Sequence, residues 1–152
     1  MNIVIINGPN INFLKTREKE IYGDITYQEL TEKLSDFALN IDMKLDFYQS
    51  NHEGALIDFI QSCQSKYDGI IINAGAYTHT SIALLDVLLA INLPTVEVHL
   101  SNTNNREDFR KISYLRQACL KCFQGEGIVS YQKALIYLCE VLENDISLKS
   151  TN

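Results

Sequence analysis

Pro94–Asn102 reads PTVEVHLSN, and its residue types pull in two directions. Thr95 to Leu100 carries the β-branched and apolar residues of an interior strand. Yet Glu97 and His99 stand two residues apart, which puts both on one face of that strand. They lie near its end, directly before Ser101-Asn102, a pair suited to starting a helix. Strands of a parallel sheet are buried on both faces, so they read as apolar runs. In open α/β sheets, ligands bind outside the carboxyl ends of such strands. The segment therefore predicts an architecture and the place of a site together.

Working outward, apolar strand-like runs alternate with helical periodicity. Residues 3–6 form one such run. Thr26 opens a Thr-x-x-Glu capping box with Glu29, and Leu30, Leu34, Phe37, Ala38 and Ile41 follow at helical spacing. Met43, Leu45 and Phe47 alternate with Lys44, Asp46 and Tyr48, the pattern of a strand near a sheet edge. A helix is predicted from Ala55 to Cys63, a buried strand at Gly69–Asn73 and a nearly all-apolar helix at Ile82–Ile91. A weaker strand spans residues 118–123. Ile128, Tyr131, Leu135, Leu138 and Leu142 mark one face of a last helix, and residues 147–152 form a polar tail. Five strands alternating with helices predict a parallel sheet covered on both faces. In a chain of 152 residues this favours a flavodoxin-like three-layer α/β sandwich with strand order 2-1-3-4-5, as one domain over residues 1–146.

Bulk properties narrow the function. The net charge is −6 and no basic cluster occurs, which argues against nucleic acid or an anionic membrane as partner. The N-terminus enters an apolar strand at once, without the pattern of an export signal. No run is long enough to span a bilayer. Cys63, Cys119, Cys122 and Cys139 do not resemble a disulfide framework, and Cys119-Leu-Lys-Cys122 has no second CxxC to complete a zinc site. In a strand, that i, i+3 pair would point to opposite faces. Reduced thiols in a cytoplasmic protein are the expectation.

The polar residues cluster at the predicted carboxyl ends. Asn7, Asn10 and Asn12 follow the first strand, and Gln49-Ser-Asn-His52 the second. Asn73 through His79 follow the third, while Glu97, His99, Ser101 and Asn102 close the fourth. All three histidines fall in these segments. The connection from Asn7 to Thr26 is far longer than the usual strand-to-helix loop, as lids and binding loops are. By composition alone a solvated, charged surface loop is the plainer alternative, but it carries Arg17 and Tyr22 opposite the histidine-bearing rim. Ionising a phenol of pKa about 10 at pH 7 costs roughly 4 kcal/mol, and a guanidinium donating to the phenolate offsets about 1.5–3 kcal/mol of it. Arg17 would thus make Tyr22 a usable base. Glu97 beside His99 suits an oriented acid/base, because a carboxylate holds the tautomer and stabilises the imidazolium. A structural histidine bonded to a carbonyl is the plainer alternative. For His79, a helix cap and a ligand hydrogen bonder stand level. Asn73, ending a buried strand, needs partners for its amide and is expected to face a ligand.

Other uses of the fold fit less well. A phospho-receiver needs acidic residues where this chain has Asn7 and Asn73. A flavin site needs a hydroxyl-rich phosphate loop where it has Asn7-Gly8-Pro9-Asn10. Gly125-Glu-Gly127 is half a dinucleotide fingerprint. A zinc hydrolase recruiting His52, His79, His99 and Glu97 lacks ligand spacing, so the expectation is no metal. A flavodoxin-type binding module is the remaining alternative.

Five motifs in order also resemble a known family. They are Asn7-Gly-Pro-Asn-Ile-Asn12, Thr16-Arg-Glu18 with Ile21-Tyr-Gly23, Gln49-Ser-Asn-His-Glu-Gly54, Ile72 through Ser81, and Glu97-Val-His-Leu-Ser-Asn102; Arg106 to Arg110 matches further on. Together they are similar to type II 3-dehydroquinate dehydratases, from Met1 to about Tyr114. The resemblance implies a cofactor-free trans elimination of water from 3-dehydroquinate in the shikimate pathway, by a homododecamer built as a tetramer of trimers. It implies Tyr22 as the base at C2, supported by Arg17, and an enolate stabilised through a water on Asn12. His99, oriented by Glu97, would protonate the leaving hydroxyl. Asn73, His79, the Leu100-Ser101 backbone and Arg110 would hold the substrate. Asp86 would reach a neighbouring subunit's site. The chain departs from the family pattern at Lys15, Leu85, Arg116-Gln117 and Lys121, with a general drift beyond Tyr114.

Overall fold

The computed structural model of the chain describes residues 1–16 and 24–150, without the side chains of Lys15, Thr16 and 146–150. Asn2–Asn7 forms β1, whose alternation organises the whole core. Ile3 and Ile5 face one side of the sheet and Val4 and Ile6 the other, all fully buried. Burying each such side chain contributes about 1.5–3 kcal/mol. The remaining strands are β2 (Lys44–Gln49), β3 (Gly69–Asn73), β4 (Thr95–His99) and β5 (Lys121–Gln124). All neighbours pair in parallel, in the order β2-β1-β3-β4-β5. This is the predicted five-stranded order, with β2 at an edge as its half-polar alternation required.

Among the described residues, four helices cover the two faces: α1 (Tyr27–Asn40), α2 (Glu53–Ser62), α3 (Ile82–Ile91) and α4 (Ile128–Ser150). Leu30 and Leu34 of α1 pack with Tyr131, Leu135 and Leu138 of α4 on one face. Leu56 and Ile60 of α2 pack with Leu84 and Leu88 of α3 on the other. The capping box of α1 forms as read, with Glu29 N donating to Thr26 Oγ1 (3.1 Å) and Thr26 N to Glu29 Oε2 (2.7 Å). Ser81 Oγ accepts from Leu84 N at 2.9 Å and starts α3. Among the described residues, no helix is long and apolar enough to cross a membrane.

Three expectations change. The fifth strand starts at Lys121, not 118, because Leu115–Ala118 winds into a 3-10 turn anchored by fully buried Leu115. Cys119 therefore precedes the strand, and only Cys122 lies in it. The last helix runs to Ser150, through part of the expected tail. The second begins at Glu53, directly after His52.

Candidate active site

At the carboxyl end of the sheet, β1 and β3 run into loops that press together. Gly8 N donates to Asn73 O at 2.8 Å. A Cβ on Gly8 would stand 2.3 Å from the Ala74 carbonyl oxygen, so only glycine lets these backbones meet. Gly75 (φ +58°) then turns the chain back under Pro9. Beside this junction lies a cavity of ≈ 140 Å³ whose wall includes Asn73, His79, His99, Ser101 and Arg110. Three segments distant in sequence (9–11, 73–79 and 99–110) thus converge on one opening.

Glu97 is completely buried, on the sheet face that carries Ile72 and packs under the Leu115–Ala118 turn. Its Oε1 accepts from His99 Nε2 and from Ser113 Oγ, both at 2.7 Å. Its Oε2 accepts from Arg116 Nε at 3.2 Å. Burial alone would push this carboxyl up. The bond and charge of His99, the Ser113 hydroxyl and the Arg116 guanidinium outweigh that and hold it below its usual value. The buried acid is therefore an anion, and it fixes the ring of His99 through Nε2. Nδ1 remains as the ring atom for chemistry in the cavity.

His79 is fixed differently. Its Nδ1 donates to the Ile112 carbonyl at 2.6 Å, and its ring lies 6.4 Å from that of His99. The helix-cap reading falls to Ser81, which takes that position. Burial pushes the His79 pKa below 6.5, helped by the nearby His99 and Arg110 and opposed by the Ile112 carbonyl and Glu97. A neutral ring donating through Nδ1 leaves Nε2 as an acceptor for a ligand hydroxyl. The sign for stability follows by linkage. As pH falls below 6.5 the unfolded chain binds a proton that the folded one refuses, so stability declines through the lowered folded value. Urea midpoints at pH 7.5 and 5.5 should therefore fall further in the wild type than in His79→Gln; equal declines would refute the assignment.

Asn73 lines the cavity, but its amide is not reserved for a ligand as expected. Its Nδ2 donates to Tyr131 Oη at 2.7 Å, and Tyr131 Oη donates on to Asn7 Oδ1 at 2.7 Å. Its Oδ1 accepts from Gly75 N at 3.3 Å. Burial pushes the Tyr131 phenol above its usual range, which keeps it a donor. Tyr131 reads in the sequence as one more apolar helix position; only the fold reveals its bridge between two strand-end asparagines. Gly125 and Gly127, no dinucleotide fingerprint, brace the end of β4 instead: their amides donate to the carbonyls of His99 (3.3 Å) and Leu100 (3.0 Å).

Arg110 lines the cavity with its guanidinium 5.3 Å over the Phe109 ring. Its buried Nε stands 3.1 Å from Glu107 Oε2, out of alignment for a hydrogen bond. Asn12 is exposed and accepts from Gln49 Nε2 at 3.3 Å, outside the cavity wall. His52 also stays out of the wall and precedes α2, so the three histidines do not form one cluster. Asp86 is exposed on α3, beside a separate groove. Tyr22 and Arg17 lie outside the described residues.

Glu97, His99 and Cys122 bring donor atoms within 4.8 Å of one another, a spacing a metal ion could use. The Arg116 guanidinium already occupies that corner: its Nη2 is 3.5 Å from Cys122 Sγ while its Nε holds Glu97. Burial pushes the Cys122 thiol up to about 11, with the Glu97 charge adding to the effect. A protonated thiol beside a fixed cation is a poor ligand set for a metal cation. The four cysteines are free.

The arrangement is a buried carboxylate orienting a histidine, a neutral second histidine and an arginine around a small polar cavity. A model of the family described as dehydroquinase class II matches residues 1–139. The chain belongs to that family. The match runs well past Tyr114, where the motif resemblance begins to drift. The 3-dehydroquinate dehydratase of Fusobacterium nucleatum is 48% identical over 143 residues, covering 92% of this chain and 97% of its own length. That of Carboxydothermus hydrogenoformans is 49% identical over 143 residues, with 94% and 93% covered. The type II dehydroquinase crystal structure from Butyrivibrio crossotus superposes with a TM-score of 0.89 at 44% identity, covering 91% of this chain and 97% of that one.

Proposed function

We propose that this class II dehydroquinase removes water from 3-dehydroquinate to give 3-dehydroshikimate as a step of the shikimate pathway, in the reducing cytoplasm and without a metal or cofactor. The observation that carries the reading is the Glu97–His99 pair at 2.7 Å, buried at the mouth of a cavity that also gathers Asn73, His79 and Arg110. The substrate proton at C2 is acidic because the C3 carbonyl accepts the electron pair as an enolate. Tyr22, activated by Arg17, takes that proton, and a water on Asn12 stabilises the enolate oxygen. The enolate then collapses, forming the C1–C2 double bond and breaking the C1–O bond. His99 gives its Nδ1 proton to the departing hydroxyl, and Glu97 stabilises and orients the ring through the change. Arg110, with its planar donor array, suits the substrate carboxylate. Neutral His79, Asn73 and the Leu100-Ser101 backbone suit its hydroxyls.

The direct test mixes purified protein with 3-dehydroquinate and follows the near-ultraviolet absorbance of the conjugated enone. Absorbance should rise at micromolar enzyme and persist after exhaustive chelation. No rise would overturn the reading, and a rate lost to chelation and restored by zinc would replace it with a metal hydrolase.

The homododecamer, a tetramer of trimers, belongs to the same proposal. Its support is α3, where Ile82 and Leu89 are exposed on an otherwise apolar helix. A surface helix normally turns a polar face outward. Asp86 stands among these residues, beside a groove that α3 forms with Ile57 and Gln61 of α2. In the proposed trimer it pairs across the interface near a neighbour's substrate. Asp86→Ala should lower activity by about tenfold or more, the worth of one charge-assisted hydrogen bond, and should weaken trimers in light scattering. A wild type that is a fully active monomer at nanomolar concentration would refute it.

A further inference from the structure

Glu97 is held from two sides. His99 Nε2 and Ser113 Oγ share one carboxylate oxygen, and the Arg116 guanidinium takes the other. The placement of Arg116 is built in by its neighbours. Ser113 Oγ donates to Glu97 and also accepts from Arg116 N at 3.1 Å, while fully buried Leu115 pins the turn to the core. Cys122 lies in register beside Glu97 on β5 and meets the far end of the guanidinium. The proton donor's carboxylate thus has a built-in counter-cation of its own.

We propose that Arg116 is a positioning residue: by sharing the charge of Glu97 from the side away from His99, it sets the pH range over which His99 holds the proton it donates. The proposal rests on His99 being the acid of the reaction. The titratable and charged groups facing the pair include Arg106 and Arg110, which line the cavity together with His99. His79 approaches from the turn after β3, and Cys119 and Cys122 come from the β5 side. Burial keeps both thiols protonated and His79 neutral. Arg116 is then the cation, among the described residues, that stands against Glu97 on the side away from His99. The guanidinium's positive charge repels the imidazolium across the carboxylate, so it offsets part of the stabilisation that Glu97 gives His99. Removing the guanidinium leaves Glu97 to His99, so the imidazolium form should persist to higher pH. The Arg116 side chain is 42% exposed, so solvent screens the effect without abolishing it.

The experiment follows the histidine ring resonances of the full-length protein by NMR against pH, with His52 and His79 as internal references, alongside kcat/KM profiles. Arg116→Met keeps the aliphatic stem and removes the charge. The midpoint of the His99 resonance should rise by roughly half a pH unit or more, and the limb of the kcat/KM profile that coincides with it should move by the same amount. Looser orientation of Glu97 should also lower kcat by about tenfold, with KM little changed. Arg116→Lys, which restores a cation, should bring the midpoint back towards the wild type. If Arg116→Met folds poorly, Arg116→Gln removes the charge and keeps a donor for Oε2. An unmoved His99 midpoint in the charge-removing variant would overturn the proposal while leaving the reaction untouched. A midpoint that moves while both kinetic limbs stay put would instead overturn His99 as the acid.

Discussion

Tyr22→Phe should lower kcat by about a thousandfold, within the range that positioned proton transfer supplies, while KM changes by no more than about threefold. The substitution removes one oxygen and almost no contact area, so it removes the base and spares the binding surface. The expectation depends on the cost of making a phenolate. Unaided, that cost is roughly 4 kcal/mol at neutral pH, and the charge-assisted bond from Arg17 recovers about 1.5–3 kcal/mol. Arg17→Ala should therefore lose about ten- to a hundredfold in kcat at neutral pH. It should also recover part of that loss as pH rises, because hydroxide then does what the guanidinium did. Steady-state kinetics from pH 6 to 10 on the three proteins separates these effects. Near-normal turnover in Tyr22→Phe would show that another group takes the proton. An Arg17→Ala deficit that does not shrink with pH would give Arg17 a binding role in place of an electrostatic one.

The sheet was legible because its residues repeat one physical demand. Ile3 to Ile6, Gly69 to Asn73 and Thr95 to His99 must be apolar on both faces, since helices cover both. Glu97 and His99 broke that demand at a strand's end, which is why a site could be placed before any geometry was known. β5 was harder because it is short and at an edge, and its apolar run starts inside the preceding turn. Leu115 and Ala118 bury against the core without being extended, so hydrophobicity alone misplaces the boundary. The partners of Glu97 were not legible at all. Ser113 and Arg116 look like ordinary loop polarity, and their role comes from a turn that folds back over β4 sixteen and nineteen residues later. A buried carboxylate in register with Cys122 does announce that some donor must arrive. Which donor is a matter of tertiary approach. Tyr131 was hidden for the opposite reason: its ring satisfies the apolar helix pattern, while its hydroxyl serves strand ends more than fifty residues away in the chain.

Glu97→Ala should cost about 2–4 kcal/mol of folding stability and about a hundredfold or more in kcat, a combination few single changes in this fold would produce. Three donors lose their acceptor together: His99 Nε2, Ser113 Oγ and Arg116 Nε. Arg116 is half-exposed and can turn to water, which sets the estimate below that for breaking a fully buried pair. His99 is buried and cannot turn away, so its ring loses both orientation and the carboxylate that stabilises its charged form. The acid dependence identifies the cause. The Glu97 carboxyl is held below its ordinary value of 4.5, so the stability from its ionisation is complete above pH 4.5 and disappears as pH falls through the lowered folded value. Urea midpoints at pH 7 and pH 3.5 should therefore converge more in Glu97→Ala and in Glu97→Gln than in the wild type. Glu97→Gln keeps the shape but sets an amide against the Arg116 guanidinium, so it should recover little of the stability. If Glu97→Gln instead matched the wild type in both midpoint and acid sensitivity, the carboxylate would be shown to act by shape alone, and the charge relation among His99, Glu97 and Arg116 would carry neither the fold nor the proton.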